Sequence, residues 1–269
     1  MQRPDWAPED VDMDAPSPAR VYDALLGGSH NFEVDRAAAA HGTRLLPGLP
    51  IGAVANRRFL RRAVTYLTGI GVRQFVDLGA GIPTVGNTHE IAQEHDPGSR
   101  VVYVDIDAVA VAHATAILAG NDNAVAIRGD VRMPEALLAA VDHTGLIDRG
   151  QPVALLMVAL LHLLPDSDAP AAATAVLRDA VAPGSHLVIS HLTSERRAEQ
   201  TAMLSSAVAR RDGISLVFRP RLQIAAFFGD FAPVEPGLVE ISDWRPDVTE
   251  QRARLPETSL YLAGVAQKV

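Results

Sequence analysis

The stretch that most limits what this chain can fold into is Gln74-Phe75-Val76-Asp77-Leu78-Gly79-Ala80-Gly81. Phe75, Val76 and Leu78 are the apolar members of a short buried strand. Gly79 and Gly81 then break that strand abruptly. Two glycines one residue apart let the backbone turn tightly and approach a ligand closely, because neither has a Cβ in the way. From about Asn87 to Glu94 the sequence reads as a helix. Strand, glycine turn and helix in that order open a nucleotide-type site, although an ordinary strand-to-helix turn has the same local pattern.

The residues that follow repeat the alternation. Arg100 to Asp107 reads as a second strand ending in acids, and Ala108 to Leu118 as a helix. Ala124 to Arg128 is a third strand, closed by Gly129-Asp130-Val131-Arg132, and Pro134 to Ala140 is helical. Val153 to Ala159 is apolar on both faces, as a central parallel strand must be. Leu160 to Asp166 is its exit loop, Asp168 to Ala182 a helix, and His186 to Ser190 a fifth strand. Strands alternating with helices over this length specify a doubly wound, mostly parallel sheet with helices on both faces. Leu216-Val217-Phe218 and Ser259 to Val265 read as two further strands that close the sheet as a hairpin-like pair, with a helix near Arg221 to Phe227 between them. That makes seven strands.

Ahead of the sheet, residues 1 to about 17 read as a loosely held tail rich in Pro, Asp and Glu. Ser17-Pro18 suits a helix start, Val21, Tyr22, Leu25 and Leu26 give that helix an apolar face, and Gly27-Gly28 ends it. A polar turn carries Asn31, and an alanine-rich helix runs from Arg36 to about Leu46. A third helix, from Val54 to about Thr68, carries Arg57, Arg58, Arg61 and Arg62, which read either as a phosphate or carboxylate clamp or as a mostly solvated set with one or two pointing inward. The expected division is a tail and helical lid over 1–68 and a core over 69–269, in one structural domain. The lid itself is expected from about Ser17 to Leu46, a run too short for a core of its own, so its apolar residues need the sheet as partner.

Composition excludes several classes. With 24 basic and 32 acidic residues the net charge is −8, which argues against a general nucleic-acid surface. There is no cysteine, hence no disulfide, thiolate metal site or cysteine nucleophile. The first residues lack the apolar core of a signal peptide, and the apolar run Val153–Leu164 is too short to span a bilayer. The expectation is a cytoplasmic protein with no membrane or nucleic-acid partner; its oligomeric state is not legible.

Two cofactors suit the glycine turn. A dinucleotide fingerprint asks for a third small residue at its sixth position, where this chain has Thr84 after Pro83. S-adenosylmethionine has no pyrophosphate and tolerates that departure. An acid at the tip of strand two, 26 residues after Gly79, suits the ribose hydroxyls; that acid is Asp105, with Asp107 either the alternative or a helix cap. Asp130 beside Val131 suits the adenine edge, or serves as a turn residue.

Together Asp77-Leu78-Gly79-Ala80-Gly81, Val104-Asp105 and Gly129-Asp130-Val131 resemble the Rossmann-like S-adenosylmethionine-dependent methyltransferases. More narrowly, the chain from Ser17 onward resembles the bacterial S-adenosyl methyltransferase family known as the DUF574 group. Arg20-Val21-Tyr22-Asp23 with Gly27-Gly28, Asn56-Arg57-Arg58-Phe59, Pro83-Thr84, Asn87-Thr88-His89-Glu90, Leu161-His162 and Pro165-Asp166 carry that likeness. It implies a Rossmann-like fold and a methyl-donor site holding S-adenosylmethionine or S-adenosylhomocysteine, with no known acceptor. Gly79 and Gly81, with Asp77 and Ala80, would lie at the methionine part; Asp105, with Ile106 beside it, would hold the ribose, and Asp130 with Val131 the adenine. Ala159 to His162 would border the sulfonium, with Tyr22 and Asn31 closing over it. His162 is the candidate catalytic base, ahead of His89 and His191. Ala159 stands where catechol-type enzymes carry a metal-ligating acid, so no metal is expected. The acceptor is expected to be a small molecule. A non-catalytic cofactor binder and a nicotinamide-dependent oxidoreductase are the competing readings.

Overall fold

The computed structural model describes residues 4, 6–9, 11–83, 86–196, 198–246 and 260–269. Strands β1 (Gln74–Leu78), β2 (Arg100–Asp105), β3 (Ala124–Arg128), β4 (Ala154–Val158) and β5 (His186–Leu192) run parallel in the order β3-β2-β1-β4-β5. The chain direction across the sheet reverses between β1 and β4, so the ligand crevice of such a sheet falls beyond their carboxyl ends. Every residue of β1 is buried, and β4 puts Ala154 and Leu156 on one face and Leu155 and Met157 on the other.

Helix α3 (Leu49–Gly69) covers one face because its apolar residues recur at helical spacing: Phe59, Leu60, Ala63, Val64 and Leu67 pack with Phe75, Val101 and Leu156. Burying each of the larger ones is worth roughly 1.5–3 kcal/mol. Helix α4 (Thr88–His95) adds Ile91 and Ala92 to that face. Helices α6 (Pro134–His143) and α7 (Pro170–Asp179) cover the other with Leu137, Val141 and Leu177. Helix α5 (Ala108–Ile117) follows β2.

The carboxyl-terminal part departs from the sequence reading. The described residues form eight strands rather than seven. Strand β8 (Tyr261–Gln267) lies antiparallel to β5, and its other partners are β6 (Ala232–Pro233) and β7 (Val239–Glu240). Leu216-Val217-Phe218 is not a strand; beside it only Arg219 makes a single bridge, to Thr193. Two-residue strands carry too little pattern to be seen in a sequence. Helix α8 (Ala198–Asp212) went unread, while α9 (Arg221–Ala226) falls where a helix was expected. Ser259, the expected start of the last strand, lies outside the described residues, as does Thr84.

Helices α1 (Pro18–Leu25) and α2 (Glu33–Leu45) pack on each other and on α3. The tail ahead of them is held more firmly than its composition implies. The Trp6 ring stacks on Phe32 at 5.2 Å and meets His30 and His113 at 5.5 and 5.4 Å. One large aromatic residue is enough to anchor a polar segment.

Candidate active site

Gly79 and Gly81 both adopt left-handed backbone, with φ of 67° and 69°. Their roles differ. A Cβ on Gly79 would meet Leu160 Cδ1 at 2.6 Å, so this glycine lets the turn close against the β4 exit. A Cβ on Gly81 would meet no atom within 4 Å: it faces open space. The turn is pinned to β2 by Gly79 N–H and Ala80 N–H, which donate to Val104 O at 2.8 and 3.2 Å.

Asp105 sits at the tip of β2 beneath that turn. Gly81 N–H donates to its Oδ2 at 2.7 Å and Asp107 N–H to its Oδ1 at 2.9 Å. Burial pushes the carboxyl up to about 6, against the lowering effect of those two N–H groups. Asp107 does different work. Its Oδ1 accepts from Val109 N and Ala110 N, capping α5, and its Oδ2 accepts from the Ser17 hydroxyl. Ser17 precedes α1 but makes no side-chain cap on it. The two acids of the strand-end pair are thus separated by geometry: one under the turn, one anchoring the amino-terminal segment. Ile106, between them, is half exposed.

Asp77 is buried and accepts from the Thr88 hydroxyl at 2.6 Å. Burial raises its pKa, with the Thr88 bond and the Arg57 charge opposing. At the tip of β3, Gly129 N–H donates to Asp105 O at 3.0 Å, which sets Asp130 and buried Val131 beside the β2 end. The Asp130 carboxylate is engaged by Arg132, whose Nε and Nη2 lie 2.9 and 2.6 Å from Oδ1 and Oδ2. That contact lowers the Asp130 pKa. Arg132 Nη1 lies 3.6 Å from Asp168 Oδ2.

A hydrogen-bonded chain crosses the top of the sheet from the amino-terminal segment to the β4 exit. Asn56 Nδ2 donates to the Tyr22 hydroxyl at 2.9 Å, and that hydroxyl donates to Ala53 O at 3.0 Å. The Ser190 hydroxyl donates to Asn56 Oδ1 and accepts Ala159 N–H at 2.9 Å. Ala159 is left-handed, with φ of 59°, a conformation that non-glycine residues adopt only under constraint. Asn31 lies elsewhere: its amide donates to Asp23 and Gly28 O, and its carbonyl accepts from Arg36, all inside the turn between α1 and α2.

The β4 exit itself is clamped by Arg219, 3% exposed. Its Nη1 donates to Leu161 O and His191 Nε2 at 2.9 and 3.0 Å, and its Nη2 to Leu164 O and Asp166 Oδ1 at 2.9 and 2.5 Å. A guanidinium only donates, so His191 Nε2 accepts, and its Nδ1–H donates to Leu192 O at 2.7 Å. Burial lowers the His191 pKa to about 3. His162 is also buried, with its Nδ1 unpartnered and its ring edge-on to His191 and Tyr261. Burial first, then His191 and Arg219, push it well below 6.5, so it is neutral at pH 7. His89 is tied to the Tyr103 hydroxyl, 2.7 Å from its Nδ1.

The fold therefore brings together the glycine turn, Asp77, Asp105 and, through Leu160, the β4 exit, with Asp130 and Val131 one strand further on. Asn56, Ser190, Arg132 and Arg219 complete these contacts and were not singled out individually from the sequence. Asn56 had a signal: it is a polar residue on the otherwise apolar stripe of α3. Arg219 had none, because its partners lie on two segments far from it in sequence, the loop 161–166 and His191.

A Rossmann-like sheet with a glycine turn over a strand-two acid is common to dinucleotide enzymes and S-adenosylmethionine-dependent methyltransferases, and the comparisons assign this chain to the second class. The model of the S-adenosyl methyltransferase family matches residues 4–269, and the chain belongs to that family. Its cofactor is the S-adenosyl donor of the family. Among solved structures, a protein of Thermobifida fusca YX, provisionally assigned as a methyltransferase, is 40% identical over 98% of this chain and 99% of its own, with a TM-score of 0.91. A DUF574 family protein of Streptomyces avermitilis MA-4680 is 32% identical over 96% and 99%, also at 0.91. A Burkholderia thailandensis 1,6-didemethyltoxoflavin-N1-methyltransferase, with bound 1,6-didemethyltoxoflavin and S-adenosylhomocysteine, shares the fold at 18% identity over 96% and 93%, with a TM-score of 0.50. No curated protein matches the chain. Among the described residues no helix is long and apolar enough to cross a membrane.

Proposed function

We propose that the protein transfers the methyl group of S-adenosylmethionine to a small-molecule acceptor at the carboxyl ends of β1, β2 and β4. The observation that carries this is the pairing of Gly81, open where a Cβ would be, with the buried Asp105 carboxylate directly bonded to it. A residue with a side chain at Gly81 would fill the cradle, and a carboxylate with lone pairs to spare suits two vicinal hydroxyls. When bound, the donor supplies a methyl group activated on sulfur. The chain's residues supply position: Asp105 takes the ribose, Asp130 the adenine edge once Arg132 yields, and Gly79, Ala80 and Gly81 the methionine part, beside Asp77. Such orientation is itself a large share of catalysis for an in-line displacement.

His162 borders the sulfonium side, with Ala159 fixed beside it by Ser190. Its low basicity suits a lone pair that orients the acceptor's O–H or N–H better than one that keeps the proton. The lid is residues 17–46, as expected from the sequence, and α3 after it shares its apolar residues with the sheet. Ser17 and Arg20 hold that lid to Asp107, two residues from Asp105. Tyr22 reaches the site through Asn56, whereas Asn31 supports the lid's own turn. The small-molecule acceptor is favoured by the acidic charge of the chain and by the toxoflavin-type substrate bound to one neighbour of the same fold. Incubation with labelled S-adenosylmethionine and a panel of small hydroxyl and N–H nucleophiles tests the reading; label appearing only in macromolecules would contradict it.

A further inference from the structure

Arg57 is the charged residue of α3 whose surroundings ask for an anion. Its Nη2 donates to Gly86 O at 3.0 Å, on the loop that leaves the glycine turn. Its Nε is buried without a hydrogen-bond partner. No carboxylate among the described residues lies within ion-pair distance of it, although its positive charge is felt at Tyr22, Asp77 and Tyr103. Asp77 is the carboxylic acid among these three, and burial raises its pKa while it already accepts from the Thr88 hydroxyl. A half-buried guanidinium whose Nε is cut off from water, and whose partner among the described residues is one carbonyl, is poorly compensated unless something negative joins it. The other inward arginine of the helix, Arg62, differs: it is used up on the carbonyls of Ile241 and Trp244.

From these contacts we infer that Arg57 receives the α-carboxylate of the donor's methionine moiety. The inference rests on the donor reading above, which puts that moiety against Gly79–Gly81. A guanidinium presents several N–H groups in one plane, which matches a carboxylate and nothing else in the donor. It also explains why α3, a core helix, carries an arginine beside buried Asn56: one residue braces Tyr22 and Ser190, and the next faces the methionine end. Arg57 is thus a binding and specificity residue that distinguishes an amino-acid-bearing donor from a decarboxylated one.

The test is a calorimetric cycle on the full chain with S-adenosylmethionine and decarboxylated S-adenosylmethionine, which differ only in the carboxylate. Wild type should prefer the former by at least about tenfold, the ratio expected for one charge-assisted contact. Arg57→Met should weaken S-adenosylmethionine by at least about tenfold, leave the decarboxylated donor within about twofold, and so collapse the preference. Arg57→Lys should restore part of it. Equal weakening of both donors would show that Arg57 only shapes the pocket and would overturn the inference, as would unchanged affinity. A wild-type protein that binds neither donor would instead sink the donor reading itself.

Discussion

Gly81 N–H and Asp105 Oδ2 are 2.7 Å apart, and this bond joins the two features of the sequence that first suggested a cofactor site. The glycine turn is therefore held over the strand-two acid before any ligand arrives. Pre-setting two binding elements with one bond reduces the ordering that binding must supply.

Asp105 sets the first expectation. Its carboxyl stands at about 6 against an ordinary value of 3.8, so the folded chain holds this proton more tightly than the unfolded chain does. Ionising it costs stability as pH rises from about 4 through about 6, at most about 3 kcal/mol. Donor hydroxyls favour the ionised form, so donor affinity should fall as pH is lowered through about 6. Asp105→Ala should weaken donor binding at least about tenfold and flatten that pH dependence. Calorimetry across pH on both proteins checks it; unchanged affinity in the variant would move the ribose elsewhere.

The parallel sheet was legible because its pattern is local: β1 to β5 are largely apolar runs short enough to be strands, and the first three are closed by glycine or acid. The glycine turn and both acids of the β2 tip were legible for the same reason, and the structure gave each acid a separate task. What was not legible depends on contacts between distant segments. The two-residue strands β6 and β7 exist only because β8 offers them an edge. Trp6 reads as part of a loose tail because its partners, Phe32 in the turn before α2 and His113 in α5, lie far along the chain. Arg219 meets Leu161, Asp166 and His191 only after folding.

Arg132 competes for the Asp130 carboxylate, and its pair is partly exposed, with side-chain exposures of 45% and 27%. Exposed pairs of this kind are worth about 0.2–1 kcal/mol. Arg132→Gln should therefore tighten S-adenosylhomocysteine and S-adenosylmethionine equally, by up to about fivefold. A gain confined to the cationic donor, read by titration calorimetry, would point to charge alone.

Removing Arg219 should strip the Leu161 and Leu164 carbonyls of a buried donor. Arg219→Met is expected to cost about 2–4 kcal/mol of stability and to free His191 from its single tautomer. Urea denaturation gives the first quantity and nitrogen-15 shifts of the imidazole give the second. A variant as stable as wild type, with His191 Nδ1 still protonated, would show that the clamp is redundant.

Closure of the lid should be visible without an acceptor. Hydrogen exchange over residues 17–46 is expected to slow when S-adenosylhomocysteine is added, because Ser17 and Arg20 anchor that segment beside Asp105. Deleting residues 1–46 should abolish donor binding while the sheet remains. Full affinity in the truncated chain would leave the segment with a packing role.

The central claim, a donor site for S-adenosylmethionine under the glycine turn, is tested most directly by titrating the full chain with S-adenosylmethionine, S-adenosylhomocysteine and NAD in one calorimetric series. The account expects saturable binding of both S-adenosyl compounds, lost or weakened at least about tenfold in Asp105→Ala, and no heat from NAD. Binding of NAD without either S-adenosyl compound would contradict it.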